Sequence, residues 1–125
     1  MTQLDWKLYP NFSVSELACK HTGLCEMQPE FMAKLQMLRN VYGKPLKISS
    51  GYRHPTHPVE AAKGHSNGEH TTGNCADIVC TSGSERFAII EIALEQGFHR
   101  IGIAKNFVHI GLGGPGLPPS VIWLY

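Results

Sequence analysis

The sequence has little charge and no long apolar run. Its 125 residues carry a formal net charge of +1, and only 17% of them are charged. We therefore expect no nucleic-acid partner, because phosphate backbones are bound by clustered lysine and arginine. No apolar stretch approaches the roughly 20 residues that a membrane helix needs, so we expect no membrane partner. The opening MTQLDWKLYP lacks the basic and then apolar pattern of a secretory signal, which predicts a chain that is cytoplasmic as synthesised.

The cysteines also lack the spacing of a structural metal site. They are Cys19, Cys25, Cys75 and Cys80, and no two of them form a CxxC pair. This spacing argues against a zinc ribbon. Without an export signal we expect free thiols. A Cys19–Cys25 disulfide and a second metal site remain as alternatives.

Apolar residues at helical spacing predict two principal helices. The first runs from residue 30 to about 42, with Pro29 at the first helical position, where no amide donor is needed. The second covers about 84–96 and is capped by Ser82 or Ser84. Its predicted inner face consists of Phe87, Ile90 and Leu94.

Shorter apolar segments predict a small, mostly antiparallel sheet. Strands are expected at 46–50, 76–80, 100–104 and 107–112, the last two as a hairpin, and 121–125 is a last strand or a packed end. Two helices on such a sheet make an α+β fold. The length predicts one domain over 1–125, with 1–12 as an N-terminal arm and 113–125 as a C-terminal tail. We expect a monomer.

One polar segment, HSNGEHTTGNCAD from His65 to Asp77, buries almost nothing. Most of it lies in a loop over 51–74, and a loop of this length in a compact domain is usually functional or disordered. His70 and Asp77 lie seven residues apart, and His109 lies on a predicted strand in FVHI. Each residue alone more often has a structural role. Together, two histidines and one carboxylate are the ligands of a catalytic zinc site, whose open position holds an activated water.

Three segments, in this order, resemble the zinc peptidases of the D-alanyl-D-alanine carboxypeptidase type. They are SGYR at 50–53, HTTGNCAD at 70–77 and FVH at 107–109. That group includes D-Ala-D-Ala dipeptidases and phage endolysins that cut peptidoglycan peptides, and the Hedgehog signalling domain shares its fold. The resemblance covers about residues 12–110, and FSVSELACKHTG looks like the small phage or prophage members.

The resemblance implies a site and a substrate. His70, Asp77 and His109 would bind Zn²⁺, and Arg53 would be the catalytic arginine, because a fixed guanidinium stabilises the developing oxyanion. Gly73 would let the loop turn tightly between ligands. The implied substrate is a peptidoglycan peptide, reached by phage lysis or as part of a virion.

The sequence departs from the family pattern at three positions. Gly68 replaces a small hydroxyl residue, and Ser66 is a possible compensation; Cys75 replaces an alanine. Asn106 replaces the acid that many members place three residues before the last ligand, and an amide does no acid–base work. Stand-in bases are His57, His65, His99, Glu69 and Glu60. One alternative is therefore a zinc-binding but catalytically weak or inactive structural or binding protein of a phage or prophage, and another is a metal-free domain.

Overall fold

A computed structural model of the chain describes residues 4–64 and 68–125, so the candidates His65 and Ser66 lie outside the described residues. The helices are α1 (Val14–Leu17), α2 (Pro29–Tyr42), α3 (Pro58–Ala61) and α4 (Gly83–Glu95), preceded by a 3-10 turn at Trp6–Leu8. The strands are β1 (Ile48–Ser50), β2 (Cys75–Val79), β3 (Arg100–Ile103), β4 (Phe107–Gly111) and β5 (Val121–Leu124). These elements confirm the predicted α+β fold.

Local signals begin the helices. Ser13 Oγ accepts the backbone N–H of Glu16, while the Glu16 carboxylate accepts the N–H of Ser13, and this reciprocal capping box begins α1. Pro29 lies in the first turn of α2, where its missing N–H costs no hydrogen bond. Ser82, rather than Ser84, caps α4 by accepting a first-turn backbone N–H.

The five strands form one sheet in the order β1-β2-β4-β3-β5. All neighbouring pairs are antiparallel except β3 and β5, which run parallel. The predicted hairpin is β3–β4, and the possible last strand is β5. Because β2 and β4 are neighbours, Asp77 and His109 are partners across the two strands. The register therefore places two predicted ligands on adjacent strands.

One face of the sheet packs against the core, and the other carries the predicted ligands. Ala76, Ile78, Val108 and Ile110 alternate along β2 and β4 with the predicted ligands, and they join the buried core beneath α4. Burying a valine or isoleucine side chain contributes roughly 1.5–3 kcal/mol to stability. The core also includes Phe31, Leu35 and Leu38 from α2. Asp77 and His109 point to the other face, which is free to carry polar chemistry.

The predicted inner face of α4 was wrong in two of its three residues. Phe87 is 68% exposed and Leu94 41% exposed, whereas Ile89 and Ala93 are buried. The aromatic contact in this part of the core comes from Phe98, after the helix, whose ring centroid lies 5.3 Å from that of Phe31. The buried face of α4 is therefore the one that carries Ile89 and Ala93.

Three further expectations concern the loop, the thiols and the membrane. The long loop contains an unpredicted short helix, α3, capped by His57 Nδ1, which accepts the N–H of Val59.

All four cysteines are free thiols, so Cys19 and Cys25 form no disulfide. Within residues 4–64 and 68–125, no helix is both long and apolar enough to cross a membrane.

Candidate metal centre

The structure brings His70, Asp77 and His109 together. Asp77 Oδ1 lies 3.0 Å from His109 Nδ1, and Asp77 Oδ2 lies 3.5 Å from His70 Nε2. The imidazole rings of the two histidines are 5.1 Å apart, edge to face. All three side chains are buried. One carboxylate therefore lies between two imidazoles, at the base of a pocket.

The backbone fixes which nitrogen of His70 faces Asp77. Its Nδ1 lies 2.7 Å from the carbonyl oxygen of Gly51. A carbonyl oxygen only accepts hydrogen bonds, so Nδ1 carries the proton and donates it. In the neutral ring the lone pair is then on Nε2, directed at Asp77. Gly73, just after His70, has a φ of +76°, and this left-handed conformation confirms the expected tight turn.

His109 presents the opposite nitrogen to Asp77. Its Nε2 donates to Glu69 Oε1 at 2.7 Å, which leaves Nδ1 facing the aspartate. Burial alone would lower the pKa of His109, but the hydrogen bonds to Asp77 and Glu69 outweigh burial and raise it. Burial likewise favours a higher pKa for Asp77, yet its contacts with His109 and His70 hold that pKa well below the usual range. Asp77 is therefore ionised at neutral pH.

These donors fit a zinc ion. Ligands 2.0–2.1 Å from a tetrahedral zinc lie about 3.3–3.4 Å from one another. The separations of 3.0 and 3.5 Å from Asp77 to the two histidines bracket that value. Two neutral imidazoles and one carboxylate are also the donor types of a catalytic rather than a structural zinc site. The chemistry and spacing of the three residues thus suit the metal that the resemblance implies.

Cys75 is a rival third donor. One donor atom each of His70, Cys75 and His109 lies within 4.8 Å of the others. Burial raises the pKa of the Cys75 thiol well above its ordinary value, and the nearby carboxylates of Glu69 and Asp77 add to the rise. Since thiolate, not thiol, binds zinc, the ionised Asp77, which lies 3.0 and 3.5 Å from the two histidines, is the better ligand in this setting.

Arg53 lies beside this cluster and is held in place. Its Nε donates to Ser50 Oγ at 3.1 Å, and its Nη1 donates to Glu60 Oε2 at 3.1 Å. Its Nη2 lies 3.6 Å from Asp77 Oδ2. A guanidinium fixed in this way stabilises negative charge without first having to reorganise.

Glu60 anchors this arginine rather than serving as a base. It is buried and also accepts hydrogen bonds from Lys63 and Thr71. Burial favours a higher pKa for Glu60, but Arg53 and Lys63 lower it overall. A Cβ added at Gly68 would lie 3.0 Å from Glu60 Oε1. A side chain at position 68 would therefore require a small shift of this carboxylate, whereas Gly68 leaves it in place.

The other stand-in bases have different roles. Asn106, at the position of the family acid, lies in the β3–β4 turn. Its carbonyl accepts the N–H of Cys80, and it does not line the pocket. His57 caps α3, and His99 is exposed just before β3. Among the described residues, the carboxylates that line the pocket are Glu69 and Asp77, and both are already engaged.

The pocket above the cluster has a volume of about 530 Å³. Its charged side includes Arg53 and Lys63, and its aromatic side consists of Phe107, Trp123 and Tyr125. The ring of Trp123 lies 5.0 Å from that of His109, and Arg100 Cζ lies 5.2 Å from the Trp123 ring. β5 therefore builds one wall of the site. No sequence pattern signals this role, because a single tryptophan in a terminal apolar segment has no diagnostic spacing.

A comparison with known protein families matches the part of the chain that contains these residues. The family model described as Peptidase M15 matches residues 10–111, which include the SGYR, HTTGNCAD and FVH segments. The chain belongs to the M15 peptidase family. M15 peptidases are zinc enzymes, so membership supports a metallopeptidase. No curated protein matches this M15 chain. The family match ends at 111, so the segment that carries Trp123 and Tyr125 lies beyond it.

Proposed function

We propose that this chain is a zinc-dependent peptidase that hydrolyses peptides of the bacterial cell wall. His70, Asp77 and His109 are the proposed ligands, and Arg53 is the proposed catalytic arginine. The observation that carries the proposal is the convergence of three donor side chains, at 3.0 and 3.5 Å, at the base of a pocket. Family membership supports the zinc and the peptidase chemistry.

The residues of the chain supply orientation and charge. When bound, zinc would act as a Lewis acid and lower the pKa of a coordinated water. The Gly51 carbonyl and the Glu69 carboxylate hold the two imidazoles so that their free nitrogens point at Asp77. Ser50 and Glu60 hold Arg53, so its charge is already in place when the carbonyl oxygen becomes negative.

The pocket lining supports a short peptide as substrate. Arg53 and Lys63 suit a carboxylate close to the bond that is cut, and the aromatic wall of Phe107 and Trp123 suits small apolar side chains. Peptidoglycan stem peptides combine both features in their D-alanine residues. The route to the wall in this proposal is phage lysis or incorporation into a virion.

The second candidate is a zinc-binding protein that holds peptidoglycan without cutting it. The observation that favours it is the lack of a free base among the described pocket residues. Asn106 lies outside the pocket, and Glu69 and Asp77 both have cationic or histidine partners. A protein of this kind would keep the metal and the pocket but turn over slowly or not at all.

Purified peptidoglycan distinguishes the two functions. The zinc-loaded protein is incubated with it, and new free amino groups are counted. We expect release that is absent in His70→Ala and retained in His99→Ala, the matched exposed histidine. Release should also stop with a chelator and return with zinc. Sedimentation of the protein with peptidoglycan, without any new amino groups, would refute the peptidase and favour the binding protein.

A further inference from the structure

Glu69 is a buried carboxylate whose two oxygens both have partners. Oε1 accepts the Nε2–H of His109 at 2.7 Å, and Oε2 accepts the backbone N–H of Gly113 at 2.8 Å. Nε of Arg100 lies 3.0 Å from Oε1, as an ion pair that lacks the alignment of a hydrogen bond. The fold also leaves room for this carboxylate, because a Cβ at Gly111 would overlap it.

This arrangement has a chemical consequence for His109. The donors around Glu69 are N–H groups, so its oxygens act as acceptors. Nε2 of His109 therefore carries a proton. Nδ1, 3.0 Å from the ionised Asp77, carries a second proton while the ring is charged, and a bound metal would displace that second proton and take up the Nδ1 lone pair. In the other tautomer, Nδ1–H would point at the metal position and block coordination. A carboxylate behind a ligating histidine also raises the basicity of the ligand.

We propose that Glu69 is a positioning residue that selects the Nδ1 lone-pair tautomer of His109 and locks its ring for metal binding. The inference rests on the proposed function, because it takes His109 as a ligand. Glu69 is adjacent to His70, so the same turn that supplies the first ligand also orients the last one. Gly113 and Arg100 in turn fix Glu69 from the segment after β4 and from β3.

The geometry separates this role from that of a general base. Oε1 lies against Nε2, whereas the proposed metal is bound through Nδ1, on the opposite edge of the imidazole. Glu69 therefore acts through His109 and not on the substrate. A base would affect turnover without changing metal affinity, but a positioning residue changes metal affinity even when no substrate is present.

Three variants of Glu69 test the proposal. Glu69→Gln keeps an acceptor oxygen at the same reach, Glu69→Asp keeps the charge on a side chain one methylene shorter, and Glu69→Ala removes both. The exposed Glu91→Gln is the matched control. The readouts are zinc affinity by chelator competition, and the ring ¹⁵N shifts of His109 in metal-free protein above its titration.

We expect Glu69→Ala and Glu69→Asp to weaken zinc binding about 10–100-fold and to show mixed tautomers of His109. Glu69→Gln should keep the Nε2–H tautomer and stay within a few-fold of the original affinity. Original affinity and a single tautomer in Glu69→Asp would overturn the proposal, and this holds even if Glu69→Ala does not fold. Loss of hydrolysis in Glu69→Gln, with affinity and tautomer retained, would make Glu69 the base instead. If the unsubstituted chain binds zinc but cuts no peptide, the proposed function fails while these readouts still decide the role of Glu69.

Discussion

Asp77 and His109 face each other as Cα partners on β2 and β4, and Asp77 Oδ1 lies 3.0 Å from His109 Nδ1. In metal-free protein these atoms share a hydrogen bond. When zinc is bound, the same two atoms would become neighbouring ligands at nearly the same separation. The metal would thus take the place of a proton between two side chains that the sheet already holds together.

Zinc binding should therefore release a proton from His109. The pKa of His109 is raised by Asp77 and Glu69, so the ring is protonated in metal-free protein at pH values below that raised pKa. Apparent zinc affinity should fall as the pH drops through it, by about tenfold per pH unit for one released proton. Titration calorimetry at one pH, in buffers with different ionisation enthalpies, measures this release. Identical binding heats in all buffers would contradict it.

Replacing Asp77 with asparagine should weaken zinc binding by at least about tenfold, since the amide keeps the size but loses the charge. The exposed Asp5→Asn is the control. The pKa of Asp77 is lower in the folded than in the unfolded chain, so ionised Asp77 stabilises the metal-free fold at pH values above its unfolded pKa. That contribution is lost as the pH falls through the folded pKa. Asp77→Asn should accordingly flatten the decline of unfolding free energy in acid, as measured by urea titration.

Cobalt should report whether Cys75 is a ligand. We expect Co²⁺-loaded protein to lack an intense near-ultraviolet charge-transfer band from thiolate, because the Cys75 thiol has a raised pKa and an ionised carboxylate, Asp77, lies within 3.5 Å of both histidines. Cys75→Ser should bind zinc with similar affinity. A strong thiolate band that disappears in Cys75→Ser would instead assign the metal to His70, Cys75 and His109.

Glu60→Gln should loosen Arg53 and destabilise the fold. Removing one member of a buried ion pair costs on the order of 3 kcal/mol. Lys63→Gln is the control, because its side chain is 40% exposed and such pairs contribute only about 0–1 kcal/mol. The pKa of Glu60 is lowered, so its contribution is present above the ordinary value of 4.5 and is lost as the pH falls. The unfolding free energies of Glu60→Gln and of the unsubstituted chain should therefore converge in acid. A difference that stays constant with pH would count against the ion pair.

Trp123→Leu tests the wall that β5 contributes. If the indole packs on the substrate, its loss should raise KM roughly two- to tenfold, the equivalent of about 0.5–1.5 kcal/mol, with a smaller change in kcat. Leu124→Ala is the control, since Leu124 is its neighbour on the opposite face of β5 and is 78% exposed. Steady-state kinetics on a soluble stem peptide separates the two constants. Equal KM values in both variants would remove Trp123 from the binding site.

The features that sequence predicted well are those with local causes. Pro29 and the Ser13–Glu16 capping box act within one helical turn, so the starts of α2 and α1 can be read without knowing the fold. The proximity of His70 and Asp77 could be predicted for a related reason, because both residues belong to one turn and the strand that follows it. His109 could be identified from the FVH motif and from the strand pattern around it.

The features that sequence did not predict depend on distant partners. Glu69 was considered only as a base, and its partner Gly113 lies 44 residues away. The inner face of α4 depends on its packing against α2 and β4, which no helical period within α4 records. The parallel pairing of β5 with β3 likewise follows from how the chain returns across the sheet edge. Each of these is a tertiary choice among locally acceptable arrangements.

The strand order predicts unequal rates of amide hydrogen exchange around the site. β2 and β4 each have a strand on both sides, so their backbone amides should exchange only when the whole sheet opens. β5 is an edge strand with exposed apolar side chains, and the described parts of the loop, 51–64 and 68–74, are mostly irregular. We therefore expect the amides in the walls of the pocket to exchange faster than those of the two strands beneath it, which carry Asp77 and His109.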